Sequence, residues 1–496
     1  MPATSVEQPT TTSPAAKITV GVLAVFTWVL AAGMTIPRAI SGGVADYGFF
    51  TAMAERMRAG DTLYVQVWDN KDPFVFFFLA VARNLGPDGV IGAWLLELSW
   101  VVIAAIAIFV IARRTNIPST LAAFTAFVLA PIVILGMPYF MGSTHLPAVA
   151  LLLAAIALIY SDRPLLAGIA IGVLLFFKLV MVPIAIITIA AAIFANRKKP
   201  AIAAFLGGFA GALATISILL LIRGELIAFV DTQVHNILYS QSPIVSAEQT
   251  GLVQKIGQHI VILINPHIAG VILTTAIIGL VAIPYLTANK DRWPQLTGLW
   301  WTTAAAFVMA GGTIAVTGKW FHHAEIFAVS STLALVLLTG WLANQRETTA
   351  IVAAIAAALV TYPLAASPPP AHFTSAFTDF GQRWSEATTI DPLTRVLADR
   401  EPSSVAFIGE SVPQGAGLED WTIACRHVAQ RPFNPEEVFT ETLECLPEAE
   451  TIVITKELAP DPAFPAYTDF AQGVEDLVTE QFTCEQVETF RICTRN

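Results

Sequence analysis

The sequence predicts an all-α polytopic membrane protein of about eleven transmembrane helices, with interfacial helices in its first outer loop and a small C-terminal α/β extracytoplasmic domain. Three observations carry this reading. The 496 residues are 55% hydrophobic and only 13% charged, with a mean hydropathy of +0.66, where soluble domains carry about 25% charged residues. Lys and Arg cluster on alternate short loops between the apolar runs. All four cysteines lie in one hydrophilic, acidic final segment.

Residues 1–17 are rich in Thr, Pro and Ser and read as a disordered cytoplasmic N-terminus. Ile18 to Ile36 is too long for a signal-peptide core and reads as a retained first span. Further apolar runs cover 89–111, 118–136, 145–160, 164–177, 180–196, 201–222, 267–288, 296–316, 324–342 and 349–366. Residues 164–196 hold two short runs meeting near Lys178 and could form one irregular pair. With the N-terminus inside, the cytoplasmic loops hold Arg113 and Arg114, Arg163, Arg197 to Lys199, Lys290 with Arg292, and Arg346. An odd number of spans then puts the tail outside. The expectation is a multi-pass plasma-membrane protein with a membrane domain over 18–366 and an extracytoplasmic domain over 367–496.

The tail is chemically distinct from the body. From Ser367 to Asn496 there are 8 Lys+Arg against 22 Asp+Glu, a net of −14. The remainder is mildly basic, which with the acidic tail argues against nucleic acid as a partner. Cys425, Cys445, Cys484 and Cys493 point to disulfides on an oxidising side. Nearness in sequence pairs Cys425 with Cys445 and Cys484 with Cys493. A metal site and buried free thiols are the rival readings, though no Cys-x-x-Cys pair is present. Ser403 to Gly409, Thr451 to Lys456 and Glu485 to Thr494 read as three strands.

Three pieces fall on the outer face: 37–88, about 223–266, and the tail. In the first, Asp46 to Gly60 reads as an amphipathic helix lying at the interface, with Phe49, Phe50, Met53 and Met57 on one side. Asp46 stands at its start, where a helix-capping role is the plain alternative. A second helix begins at Pro73 and ends near Gly86, and Asp69, Lys71 and Asp72 cluster at its start. A solvated charged turn is the plain reading of that cluster.

The run Gly60-Asp-Thr-Leu-Tyr64-Val-Gln-Val-Trp68-Asp69-Asn-Lys71-Asp-Pro73, following an acidic residue after the first span, resembles the first outer loop of GT-C membrane glycosyltransferases. It is most similar to the protein O-mannosyltransferase and lipid A aminoarabinose transferase branch. Gly168 to Gly172 followed by Phe177-Lys178, and Gly318-Lys-Trp-Phe-His322-His323, resemble later motifs of that family. The resemblance implies a sugar transferred from a polyprenyl-phosphate donor to an extracytoplasmic hydroxyl. The acceptor could be a cell-envelope glycan, a lipid or a protein. It implies Asp46 as catalytic base, and Lys71, Lys178, His322 and His323 near the donor phosphate. Tyr47, Asp69, Asp72 and His145 would border the cavity. Three positions depart from the pattern: Tyr47 replaces a Glu, Gln66 an Asp, and Asp72 the first Pro of Lys-Pro-Pro. No cofactor is required by the chemistry, and a divalent metal is left open.

That chemistry is physically coherent. An inverting displacement needs a base for the acceptor hydroxyl and cations for the departing phosphate. Lys178 sits in an apolar context, where either a site role or snorkelling fits. Glu97 reads first as a buried structural partner, and His145, with Tyr139 and Ser143, as an outer-loop candidate. Asp231 and His235, four apart, read as a solvated helix face rather than as metal ligands. Two rival functions stay open: a polytopic transporter, and a non-catalytic envelope-assembly protein of the same fold. A transporter should show paired halves with charges near the midplane, whereas the charges here concentrate in the first outer loop.

Overall fold

The computed structural model describes residues 14–40, 45–82, 84–85, 90–136, 144–195, 201–240, 294–317 and 326–343. In the tail it describes 397, 400, 404–409, 422–427, 430, 434, 436–454, 458, 464–487 and 490–496. The body is a helical bundle. Its helices are α1 (Pro14–Ile40), α2 (Ala45–Ala59), α3 (Pro73–Ala82), α4 (Val90–Arg114), α5 (Ser119–Phe124) and α6 (Ala130–Gly136), the last two joined by a π-helical turn, Thr125–Leu129. There follow α7 (His145–Tyr160), α8 (Pro164–Leu175), α9 (Val182–Ala195), α10 (Ala201–Ile222), α11 (Leu226–Ser240), α12 (Pro294–Thr317) and α13 (Phe327–Ala343). The runs expected at 267–288 and 349–366 lie outside the described residues.

Two described stretches, Trp94–Arg114 and Ala201–Ile222, are long and apolar enough to cross a membrane. At 1.5 Å per residue, 21 and 22 residues match a hydrocarbon core about 30 Å thick. Large apolar side chains point outward along the bundle, including Val25 and Phe26 on α1, Leu219 and Ile222 on α10, and Val308 on α12. In water such a surface would be an aggregation liability; in lipid it is solvated.

Glycine sets the closest helix pair. A Cβ on Gly168 of α8 would collide with the Phe205 carbonyl and the Phe209 amide nitrogen of α10. A Cβ on Gly208 of α10 would collide with the Leu165 carbonyl of α8, and one on Gly172 would stand 2.6 Å from the Ala212 Cβ. Small residues thus let the two backbones touch, the usual device of helix association in lipid. α8 then breaks after Leu175. Lys178 adopts φ −162°, and a 3₁₀ turn (Leu179–Met181) leads into α9. The irregular pair expected at 164–196 is present, with Lys178 at its joint.

The tail domain carries a five-stranded sheet in the order β2-β1-β3-β5-β4. Its strands are β1 (Ser404–Ile408), β2 (Thr422–Ile423), β3 (Thr451–Ile454), β4 (Phe482–Val487) and β5 (Phe490–Arg495). β1 runs parallel to β2 and β3, and β5 is antiparallel to β3 and β4. The single strand expected over Glu485 to Thr494 is instead a β4–β5 hairpin. Cys484 and Cys493 face each other in register across it and are disulfide-bonded. Cys425 and Cys445 form the second disulfide, so both expected pairings occur. Helices α14 (Glu436–Cys445) and α15 (Pro465–Gln481) cover one face of the sheet, over Ala406, Ile408, Ile452 and Ile454. The opposite face, Val405, Phe407, Val453 and Ile492, shares a core with Phe50, Leu63, Tyr64, Phe76 and Phe229 of the body. The central strands β1 and β3 are therefore buried on both faces, as their continuous apolar sequences require, while the edge strand β4 is largely exposed.

Candidate functional site

The segment 60–73, between α2 and α3, organises the contacts between body and tail. α2 ends at Gly60, whose φ of 108° a side chain would strain. The Asp61 N–H then donates back to the Arg56 carbonyl at 3.0 Å, and the Arg56 guanidinium pairs with Asp61 at 2.6 Å. Gln66, one of the departures from the family pattern, closes the next turn: its Oε1 accepts the Thr62 N–H at 2.7 Å. Tyr64 takes a φ of 66°, an outlier for a bulky residue. It is held there by its N–H donating to the Val67 carbonyl (2.6 Å) and its hydroxyl donating to the Lys71 carbonyl (2.7 Å). Burial, followed by the nearby Asp72, Asp69 and Glu225 carboxylates, raises the Tyr64 phenol well above its ordinary pKa and keeps it a donor.

The α10–α11 region grips this loop from beneath. Buried Glu225 accepts the Leu63 N–H at 3.3 Å and the Arg223 guanidinium at 2.9 Å. Arg223 in turn stacks 5.0 Å over Phe77 of α3. From α11, Asn236 donates to the Asn70 carbonyl (2.7 Å), and Thr232 accepts the Trp68 indole N–H (3.2 Å).

The charged cluster sits where this loop meets the broken helix. Asp69 Oδ1 accepts the Lys71 N–H at 2.9 Å, and Lys71 Nζ donates to Asn70 Oδ1 at 2.8 Å. Asp72 is buried, and its Oδ2 accepts the Leu179 N–H at 3.1 Å. Two residues on, Phe74 N–H donates to the Phe176 carbonyl at 3.0 Å. The start of α3 is thus stitched to both sides of Lys178. Burial pushes the Asp72 carboxyl up to about 6, while the Leu179 N–H and the Lys178 and Lys71 ammonium groups pull the other way. Its Oδ1 is buried without a hydrogen-bond partner.

The tail clamps the same loop from the other side. The Trp68 N–H donates to the Arg426 carbonyl at 2.8 Å, and Trp68 and His427 form an isolated parallel β-bridge. Their rings meet edge to face at 5.0 Å. Glu441 of α14 receives Arg426 through both oxygens (2.6 and 2.7 Å) and stands 2.7 Å from His427 Nε2. The Cys425–Cys445 disulfide ties the two ends of this cluster together. Burial lowers the His427 imidazole to about 4, against the Glu441 hydrogen bond that raises it. Although partial burial raises it, the His427 and Arg426 hydrogen bonds hold Glu441 below its ordinary value.

Of the sequence-nominated residues, Asp69, Lys71, Asp72 and Lys178 are brought together. Asp46 and Tyr47 lie in the first turn of α2, which packs on α3 through Phe50 and Phe76. His145 opens α7 and is buried, and Glu97 is buried within α4. His322, His323, Tyr139 and Ser143 lie outside the described residues. Asp231 and His235 are 3.7 Å apart and largely exposed, as a solvated face requires. α2 departs from the expected interfacial helix, because Glu55 and Arg56 are buried along with Phe50 and Met53. Sequence reasoning did not single out Glu225, Asn236 or the Arg426–His427–Glu441 cluster. Thr232 and Asn236 do share the face of Phe229 at helical spacing, a signal that could have found them. Among the described residues no group of three His, Cys, Asp or Glu side chains could hold a metal ion.

No protein-family model and no curated protein sequence matches the chain. Solved structures do. Over 97% of this chain and 98% of the other, it is similar to ArnT from Cupriavidus metallidurans bound to undecaprenyl phosphate, with a TM-score of 0.54 at 12% identity. It is also similar to the apo oligosaccharyltransferase of Archaeoglobus fulgidus, with a TM-score of 0.50 at 14% identity, over 95% of this chain and 72% of that one. Over nearly its whole length the chain therefore shares its fold with these two structures.

Proposed function

We propose that the protein is a multi-pass membrane glycosyltransferase. It moves a hexosyl or pentosyl unit from a polyprenyl-phosphate donor to a hydroxyl on a cell-envelope glycan, lipid or protein outside the cytoplasm. The observation that carries this reading is the joining of the Asp69–Asp72 turn, with Lys71, to the α8–α9 break at Lys178 through the Asp72–Leu179 and Phe74–Phe176 hydrogen bonds, which sets two cationic residues near one place suited to an anionic leaving group. The structure of ArnT to which the chain is similar holds undecaprenyl phosphate, in keeping with that donor class. In the proposed reaction the Asp46 carboxylate takes the proton of the acceptor hydroxyl. The acceptor oxygen forms a bond to the anomeric carbon as the carbon–oxygen bond to phosphate breaks, inverting that centre. The polyprenyl phosphate leaves with its charge held by Lys71 and Lys178. His322 and His323 are assigned beside the same phosphate, and Tyr47, Asp69 and His145 to the cavity border. The N-terminus is cytoplasmic and the tail extracytoplasmic.

The test is sugar release from radiolabelled polyprenyl-phosphate sugars by purified protein, with cell-envelope extract as acceptor. Turnover by wild type and a loss of at least about a hundredfold in Asp46→Asn is the expected outcome, given the usual contribution of a general base. Substrate flux across vesicles without transfer would replace this reading with a transporter.

A further inference from the structure

Trp68, three residues ahead of Lys71, is held by two separate parts of the chain. Its N–H donates to the Arg426 carbonyl at 2.8 Å, it bridges His427 in parallel, and its ring meets the His427 ring edge to face. Its indole N–H donates to Thr232 of α11 at 3.2 Å. Val67, beside it, is buried in the core that the body shares with Val405, Phe407 and Val453 of the tail.

The residues that follow Trp68 are fixed in turn. Asn236 of α11 donates to the Asn70 carbonyl at 2.7 Å, and Asn70 Oδ1 accepts the Lys71 ammonium at 2.8 Å. Asp69 takes the Lys71 N–H, and the Tyr64 hydroxyl donates to the Lys71 carbonyl. The Arg426 guanidinium reaches the Tyr64 carbonyl at 3.5 Å. Two routes therefore run from the Arg426–His427 pair to Lys71: one along the backbone from Trp68, the other across the Tyr64 side chain. A lysine held in place beforehand meets an anion with less loss of loop and side-chain freedom.

We propose that Trp68 is a positioning residue through which the tail holds Lys71 ready for the lipid phosphate, so that the tail serves the donor side of the reaction. This rests on the glycosyltransferase reading above and adds to it a role for the tail. Glu441 of α14 isolates that role. Its carboxylate bonds Arg426 and His427, and neither bond touches the loop that carries Lys71. Without Glu441, Arg426 and His427 hold Trp68 less firmly, and Lys71 loses its fixed place. The sign separates this from a charge effect, because removing a negative charge by itself favours an incoming anion.

The experiment measures binding of undecaprenyl phosphate alone to the full chain in nanodiscs by calorimetry. Wild type is compared with Glu441→Ala, Trp68→Ala, Lys71→Ala, and the last two each combined with Glu441→Ala. Glu441→Ala should weaken binding about tenfold, the scale of one lost charge-assisted hydrogen bond. Trp68→Ala and Lys71→Ala should each weaken it at least as much. Adding Glu441→Ala to either should change nothing further, because the link or the lysine it serves is already gone. In transfer assays Glu441→Ala should raise the KM for the donor and leave that for the acceptor unchanged. Equal binding by wild type and Glu441→Ala overturns the proposal, as does a fully additive loss with Lys71→Ala or a rise in KM confined to the acceptor. A Lys71→Ala chain that binds like wild type overturns it too. If Glu441→Ala fails to fold, Glu441→Gln, which keeps an acceptor for Arg426, is carried through the same cycle; if Trp68→Ala fails to fold, the cycle of Glu441 with Lys71 decides. Absence of phosphate binding by folded wild type would sink the glycosyltransferase reading, and the proposal with it.

Discussion

Acid should loosen the tail from the 60–73 segment, and His427 should be the group that does it. Its side chain is 3% exposed, covered by the Trp68 ring. The Glu441 carboxylate assigns the one proton of the neutral ring to Nε2, leaving Nδ1 buried without a partner. A second proton would put a charge and an unsatisfied donor into that pocket. His427 titrates at about 4 when folded, against 6.5 for an ordinary histidine. The native state therefore binds fewer protons than the unfolded one between those limits. Stability from neutral His427 is complete above pH 6.5, is lost as pH falls, and is exhausted below about 4. One pKa unit corresponds to 1.36 kcal/mol, so the loss is about 2 kcal/mol at pH 5 and about 3 kcal/mol in full. The assay is thermal unfolding of the purified protein between pH 7.5 and 4.5, with hydrogen exchange read at 62–71 and 422–427. His427→Gln keeps a donor toward Glu441 and does not titrate. The informative quantity is the difference between wild type and variant, since other carboxylates protonate in both. An unfolding temperature that falls equally in both between pH 7 and 5 would refute the reasoning.

The remaining predictions concern other links in the same assembly. Gly168→Leu should separate α8 from α10, cost about 3 kcal/mol or more through overpacking, and lower transfer by shifting Lys178; thermal unfolding in detergent and turnover measure the two effects. Replacing Cys425 and Cys445 together by Ser opens a loop of 20 residues, which should cost the tail about 3 kcal/mol; limited proteolysis should then cut between 422 and 446 first, with the body intact.

Apart from α2, α3 and α11, the described helices of the body fall on apolar runs that length and composition mark in the sequence, and two of them, Trp94–Arg114 and Ala201–Ile222, hold stretches long and apolar enough to cross a bilayer. The break at Lys178 was legible as two runs too short to stand alone. The β4–β5 hairpin was not, because Glu485 to Thr494 alternates straight through its turn without a Gly, Pro or Asn to mark it. The burial of Glu55 and Arg56 was not legible, since no local pattern shows that Arg56 would find Asp61 and that α2 would be covered. Within the site, the motif itself was legible, but its supports were not. Glu225 looks like an ordinary loop charge after Gly224, and its burial follows only from the loop folding over it. The tail cluster of Arg426, His427 and Glu441 holds no motif at all; its role comes from contacts made across the length of the chain.

The last of these contacts bears on how the molecule is made. Tyr64 and Arg426 touch although 362 residues separate them. At about 5–20 residues per second, the ribosome delivers Tyr64 some 20–70 seconds before its partner. During that interval the strand and ring that hold Trp68 do not yet exist. The clamp closes only after α14 has been made, where Cys445 bonds Cys425. The segment that carries Lys71 is thus among the first parts synthesised and among the last completed, and its final geometry arises only in a chain translated through residue 445.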